Sequence, residues 1–267
     1  MLHRQTISRL AVESGYSIRT LKTMFHEYLC KPPVLHLSRI AELNLMIDGS
    51  YFSNEICLII YRENNRKRTQ FYRVSNGEYF DEIKEDLANL LLLEMRVESV
   101  TCDGHKSILK AVKSICPEAA LQRCVVHIQR ECSTWLTAHP QSTAGVDLLK
   151  IVHQIHQIKS HNQAQLWMQE LIHWHHLHKG FINEKSYQQT TGRYWFKHKL
   201  VRKAFVHLRN ALPNMFLYLF NPRIPKSTNG LESFFGHLKS HLQMHRGLTK
   251  THRINFMKWY LYFKNCV

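Results

Sequence analysis

Three carboxylates in this 267-residue chain stand where they could do chemistry. Asp48 lies in "LMIDGSYF", Asp103 in "VESVTCDGHK" and Glu232 in "KSTNGLESFF". Each aspartate closes an apolar run and precedes a glycine. Glu232 is the only acid between Lys226 and Lys258, a span that carries Lys226, Lys239, Arg246, Lys250, Arg253 and Lys258. Taken singly, an aspartate before glycine can open a turn and a glutamate can sit at a helix start. Taken together, three hard-oxygen donors in one crevice would hold divalent cations and support phosphoryl transfer.

The elements around them are legible as periodicities. "ELNLMID", "EICLIIYR" and "KRTQFYRV" read as three strands separated by turns at "GSYFSN" and "ENN". A helix follows over 79–94, then a strand "VESVTCD", a helix through Ile115 and a fifth strand in "ALQRCVVH". This order predicts an α/β mixed sheet, with Asp48 and Asp103 both at the carboxyl ends of strands. Glu232 falls in an early turn of a helix capped by Thr228 or Asn229 and running through Leu242.

At the front, "QTISRLAVESGYSIRTLKTMFHEYL" holds two short helical patterns around a turn at Gly15, with Ser17 as cap of the second. The spacing resembles a helix-turn-helix unit whose Arg19, Thr20, Lys22 and Thr23 suit phosphate or base contacts. Lys and Arg number 36 against 20 Asp and Glu, a formal charge of +16, which favours a polyanionic partner. Seven cysteines are dispersed without paired spacing, so neither a zinc ribbon nor a disulfide framework is expected. Most of the 19 histidines recur in helical stretches such as "HWHHLH", where wet helix faces account for them. The start reads as no signal peptide and no apolar run would span a bilayer, so a cytoplasmic, nucleoid-associated protein is expected.

The segments "LMIDGSYF", "TCDGHKSILKAVKSICPEAALQRCVVHIQRE" and "KSTNGLESFFGHLKSHLQMHRGLTKTHR" resemble the successive catalytic segments of bacterial insertion-sequence transposases related to the Mutator superfamily. The resemblance runs from about Leu43 onward. It implies a ribonuclease H-like catalytic core with a helical insertion, behind the N-terminal helix-turn-helix-like unit. It also implies that Asp48, Asp103 and Glu232 form a metal-holding acidic triad, and that Cys124 and His127 are the family's cysteine and histidine pair. The implied cofactor is Mg2+, with Mn2+ as substitute. The implied partner is double-stranded DNA, the terminal inverted repeats of the protein's own element, bound by a homo-oligomer. A transposase-derived DNA-binding regulator is the alternative.

The expected organisation is a helix-turn-helix unit over 1–30, a linker over 31–42, the first part of the core over 43–135, a helical insertion over 136–225, and a catalytic helix with basic tail over 226–267. Candidate DNA contacts are Arg19 and Lys22 at the front, Lys197, Lys199 and Arg202 in "FKHKLVRKAFVHLR", and Lys239, Arg246, Lys250 and Arg253 near the catalytic helix.

Overall fold

The computed structural model describes residues 5–34, 40–53 and 55–266. Five strands form one sheet: β1 (Glu42–Ser53), β2 (Ile56–Glu63), β3 (Arg68–Ser75), β4 (Arg96–Cys102) and β5 (Ala120–Arg123), in the order β3-β2-β1-β4-β5. The first three pair antiparallel, whereas β4 and β5 pair parallel across the helix α4 (Lys106–Ile115), which is numbered after three earlier helices. A parallel pair requires such a crossover. The result is a mixed α/β, ribonuclease H-like core preceded by a helical unit.

The chain divides into two units. The first comprises Met1–Glu98, Lys106–Pro117 and Asn229–Val267. It opens with α1 (Ile7–Ser14) and α2 (Ile18–Cys30). Thr6 accepts from the Arg9 amide and Ser17 from the Thr20 amide, and Gly15, at φ +73°, closes α1 by donating to Ala11 O. The expected helix, turn at Gly15 and second helix capped by Ser17 are therefore present, and Thr6 caps the first helix as well. Of the linker expected over 31–42, residues 35–39 lie outside the described residues, and Glu42 already belongs to β1.

β1 is buried from Leu43 to Asp48 and β2 from Ile56 to Tyr61, so both faces of these strands are covered. Met46, Ile56, Leu58 and Ile60 point to one side. There they meet Leu231, Phe234 and Leu238 of α9 (Asn229–Gln243) and Phe256 and Tyr260 of α10 (Lys250–Cys266). Tyr61 alternates to the other side and donates its hydroxyl to Asp86 of α3 (Phe80–Leu92) at 2.9 Å. Asp86, fully buried, also accepts from Arg73 Nε at 2.8 Å and Arg73 Nη2 at 2.6 Å.

Two local expectations are corrected. The turn at "GSYFSN" is absent over Gly49–Ser53, which continue β1. Gly49 pairs with Ile59, Ser50 with Leu58 and Tyr51 with Cys57, before an irregularity between Tyr51 and Ser53. The apolar β2 supplies ladder partners, and these outweigh the turn preference of the glycine and serine. Asp48 therefore lies within a strand and not at its end; Asn54 lies outside the described residues. Likewise β5 stops at Arg123, and "CVVH" begins the helix α5 (Val125–Leu136).

The second unit comprises Ser99–His105 and Glu118–Thr228. Its core is helical, from α5, α6 (Thr143–Gln154), α7 (His161–Ile182) and α8 (Lys199–Ala211). Ala164, Trp167, Leu171 and Trp174 give α7 one apolar stripe, and the buried indoles donate to Ile151 O and Ala144 O at 2.8 and 3.0 Å. His173 and His176 lie on the exposed side of that helix, as its periodicity predicts. A hairpin of β6 (Lys185–Tyr187) and β7 (Tyr194–Phe196) interrupts the helices, a feature absent from the sequence-based expectation. Among the described residues no helix is long and apolar enough to cross a membrane.

Candidate functional site

Residues two apart on a strand share a face, so Asp48 follows Met46. A β-carbon on Gly230 would stand 3.4 Å from Met46 Cε, which shows how closely the start of α9 lies on β1. Asp48 is also the cross-strand partner of Ile60, whose side chain belongs to the core that α9 and α10 cover. Asp48 is 8% exposed. Glu232 is half-buried in the first turn of α9, where the helix dipole favours a negative charge. Asp48 thus lies on the face of the sheet covered by the helix that carries Glu232.

The two Asp-Gly pairs, alike in sequence, differ in structure. Gly49 is extended, and a β-carbon there would meet the Glu78 side chain at 2.7 Å. Gly104 has φ +99°, the left-handed region, and a β-carbon there would stand 2.0 Å from Arg123 Cζ. Only glycine fits that turn, because the buried Arg123 guanidinium lies against the backbone and its Nη2 donates to Asp103 O at 3.2 Å. The Asp103 carboxylate accepts from the His105 amide at 2.7 Å, which orders the turn after β4.

Cys124 caps α5 and takes part in a local lattice of hydrogen bonds. Its amide donates to Cys102 O at 2.7 Å, and the Val125 amide donates to Lys226 O at 3.1 Å. Thr228 donates its amide to Cys124 Sγ at 3.3 Å, and its hydroxyl lies 3.4 Å from His127 Nδ1. Burial pushes the Cys124 thiol up, but hydrogen bonds from His127 and Thr228 outweigh it and leave the thiol below its ordinary range. Cys124 and His127 therefore fasten the segment at Lys226 and Thr228, immediately ahead of α9.

The basic candidates separate into groups. Arg19 and Lys22 line an open depression on α2 with Ile18, Thr23 and His26. Lys239, Arg246 and Arg253 line another with Tyr51, Phe52 and His245. Lys250 borders the adjoining depression and pairs with Glu55 at 2.9 Å. In the second unit Lys199 is exposed at the start of α8, while Lys197 pairs with Glu184 just before it. Arg202 donates to Asn183 Oδ1 and lies 3.9 Å over the Phe196 ring. Lys197 and Arg202 thus hold the hairpin to its flanking helices.

One grouping was not anticipated from the sequence. His26 and Cys30, four residues apart on α2, meet His252 in the first turn of α10, with their donor atoms all within 4.8 Å of one another. The His26 and Cys30 spacing is visible in the chain. Their partner, 222 residues beyond Cys30, is not.

Residues 92–246, more than half of the chain, match the family described as Transposase, Mutator family, and the chain belongs to that family. The matched span includes Asp103, Cys124, His127 and Glu232; Asp48 precedes it. No curated protein matches the chain significantly.

Proposed function

We propose that this protein catalyses metal-dependent DNA cleavage and strand transfer at the terminal inverted repeats of its own insertion element. Membership of the Mutator transposase family supports the reaction class. The observation that carries the site is the placement of Asp48 on the β1 face covered by α9, with Glu232 in the first turn of that helix. Asp103, in the turn after β4, is the third member of the proposed triad, the one that the family resemblance assigns to "TCDG".

The donor set fits the implied ion, since aspartate and glutamate oxygens suit Mg2+ or Mn2+ and a soft thiolate is not required. Asp48, Asp103 and Glu232 would hold it. Bound there, the metal would supply charge stabilisation and a means of lowering the pKa of an attacking hydroxyl. Arg123 and Gly104 fix the Asp103 turn, and the cysteine and histidine pair fixes the approach to α9. Lys239, Arg246 and Arg253 would neutralise phosphates along the duplex, while Arg19 and Lys22 would contact it from α2. Assembly as a homo-oligomer on paired element ends belongs to the same reading.

The test incubates the purified chain with DNA bearing its element's ends and Mg2+, alongside Asp48→Asn, Asp103→Asn and Glu232→Gln. Each amide variant should lose cleavage and joining while still binding the duplex. Cleavage at the wild-type rate by all three would reject the assignment. A folded wild-type chain that binds the ends but never cuts them, with either metal, would favour a DNA-binding regulator.

A further inference from the structure

We infer that His26, Cys30 and His252 form a zinc-type site that staples α2 to α10. The three residues are of the types that bind Zn2+, and the fold places their donor atoms in a triangle. Cys30 Sγ lies 3.6 Å from His26 Nε2 and 3.7 Å from His252 Nε2. A tetrahedral ion with Zn–S of about 2.3 Å and Zn–N of about 2.05 Å requires S···N separations of about 3.5 Å. The two S···N separations are therefore close to those of a coordinated set, and the two ring nitrogens lie within 4.8 Å of each other.

Hydrogen bonding alone requires the two rings to adopt opposite roles towards the sulfur. A thiol has one proton and can donate to only one of the two imidazole nitrogens. The second contact then needs a protonated ring nitrogen pointing at the sulfur. One ion shared by a thiolate and two neutral imidazoles engages all three atoms at once. One sulfur and two nitrogens suit zinc and disfavour magnesium, so the site is chemically distinct from the carboxylates proposed for cleavage. His26 and Cys30 are exposed and His252 is half-buried, which leaves the fourth position to solvent.

The surroundings indicate what the ion would hold. Asn255 Nδ2 donates to Leu29 O at 2.6 Å, Trp259 Nε1 donates to Tyr28 O at 2.8 Å, and the Tyr28 and Trp259 rings meet edge to face at 5.3 Å. These contacts join the end of α2 to α10, and the metal would lock the same joint from its exposed side. His26 also borders the depression that contains Arg19 and Lys22. The ion would therefore fix the orientation of the basic face of α2.

Cobalt(II) serves as the probe, added to untagged, chelator-treated full-length protein. One equivalent should give a thiolate-to-cobalt charge-transfer band and the intense visible bands of four-coordinate cobalt, both removed by Zn2+. Cys30→Ser should abolish the charge-transfer band, and His252→Gln should weaken binding at least tenfold. Zn2+ should raise the melting temperature of the wild type but not of Cys30→Ser. Circular dichroism checks that the variants fold. If Cys30→Ser does not fold, His26→Gln at an exposed position tests the same site and should also weaken cobalt binding at least tenfold, an unchanged affinity overturning the proposal. Absence of a charge-transfer band in the wild type, or its persistence in Cys30→Ser, would overturn the proposal. Neither result depends on DNA cleavage.

Discussion

Asp48 is the cross-strand partner of Ile60, and that pairing sets a carboxylate into the row of side chains that α9 packs against. The neighbouring member of the row, Met46, lies 3.4 Å from where a β-carbon on Gly230 would stand. Position of the acid and packing of the helix are therefore one problem.

Met46→Ala should cost about 2–5 kcal/mol, because a buried large residue is removed from under α9. Ile59→Ala, also fully buried but on the opposite face of β2, should cost a similar amount. If α9 positions Glu232, DNA cleavage measured well below melting should fall in Met46→Ala and persist in Ile59→Ala. Equal loss in both would show that stability alone governs the rate.

The two glycines give a second contrast. Gly104→Ala places a methyl in the Arg123 guanidinium and strains a left-handed residue, so a loss of about 2 kcal/mol or more is expected in denaturant unfolding. Gly49→Ala keeps an ordinary extended backbone and meets one side chain, that of Glu78, so it should cost less. Comparable losses would contradict the structural difference between the two Asp-Gly pairs.

On the far side of the sheet, Asp86→Asn should destabilise by about 3 kcal/mol or more, since it weakens the acceptor for Arg73 inside the fold. Tyr61→Phe removes one hydrogen bond to the same carboxylate and should cost about 1.5 kcal/mol. The double variant should show non-additivity, because the two substituted residues are donor and acceptor of one hydrogen bond. Additive losses would argue that the network is not coupled.

Acid should loosen the first unit through His245. Its ring lies between Phe25 and Phe256, at 5.8 and 5.3 Å, and burial holds its pKa below 6.5. The unfolded chain then takes up this proton first. Stability from the neutral ring is complete above 6.5 and declines as pH falls from 6.5 towards the folded value. The difference in melting temperature between wild type and His245→Phe should shift across that window; a constant difference would dismiss the effect.

Local chemistry was the part of this protein most readable from its residues. Ser17 and Gly15 announced the helix boundaries because capping depends on immediate neighbours. Glu232 could be placed at a helix start for the same reason. What escaped was decided by distant partners. "GSYFS" carries turn residues, yet β2 recruits it into the sheet. Three-residue strands such as β6 and β7 leave too short a pattern to recognise. His252 joins Cys30 across 222 positions, which no periodicity encodes.

The first unit is discontinuous, and this has a consequence for birth on the ribosome. β1 and β2 emerge early, but α9 and α10, which cover their Met46, Leu58 and Ile60 side, are translated only after the whole second unit. Until α9 and α10 emerge, that side would lack its native cover and would be open to chaperones or to aggregation. Ribosome-stalled chains ending at 228 should bind a hydrophobic dye or a chaperone more strongly than chains released after α10. By the same order, Asp48 and Glu232 can share a folded layer only in a nascent chain whose second unit has already been made.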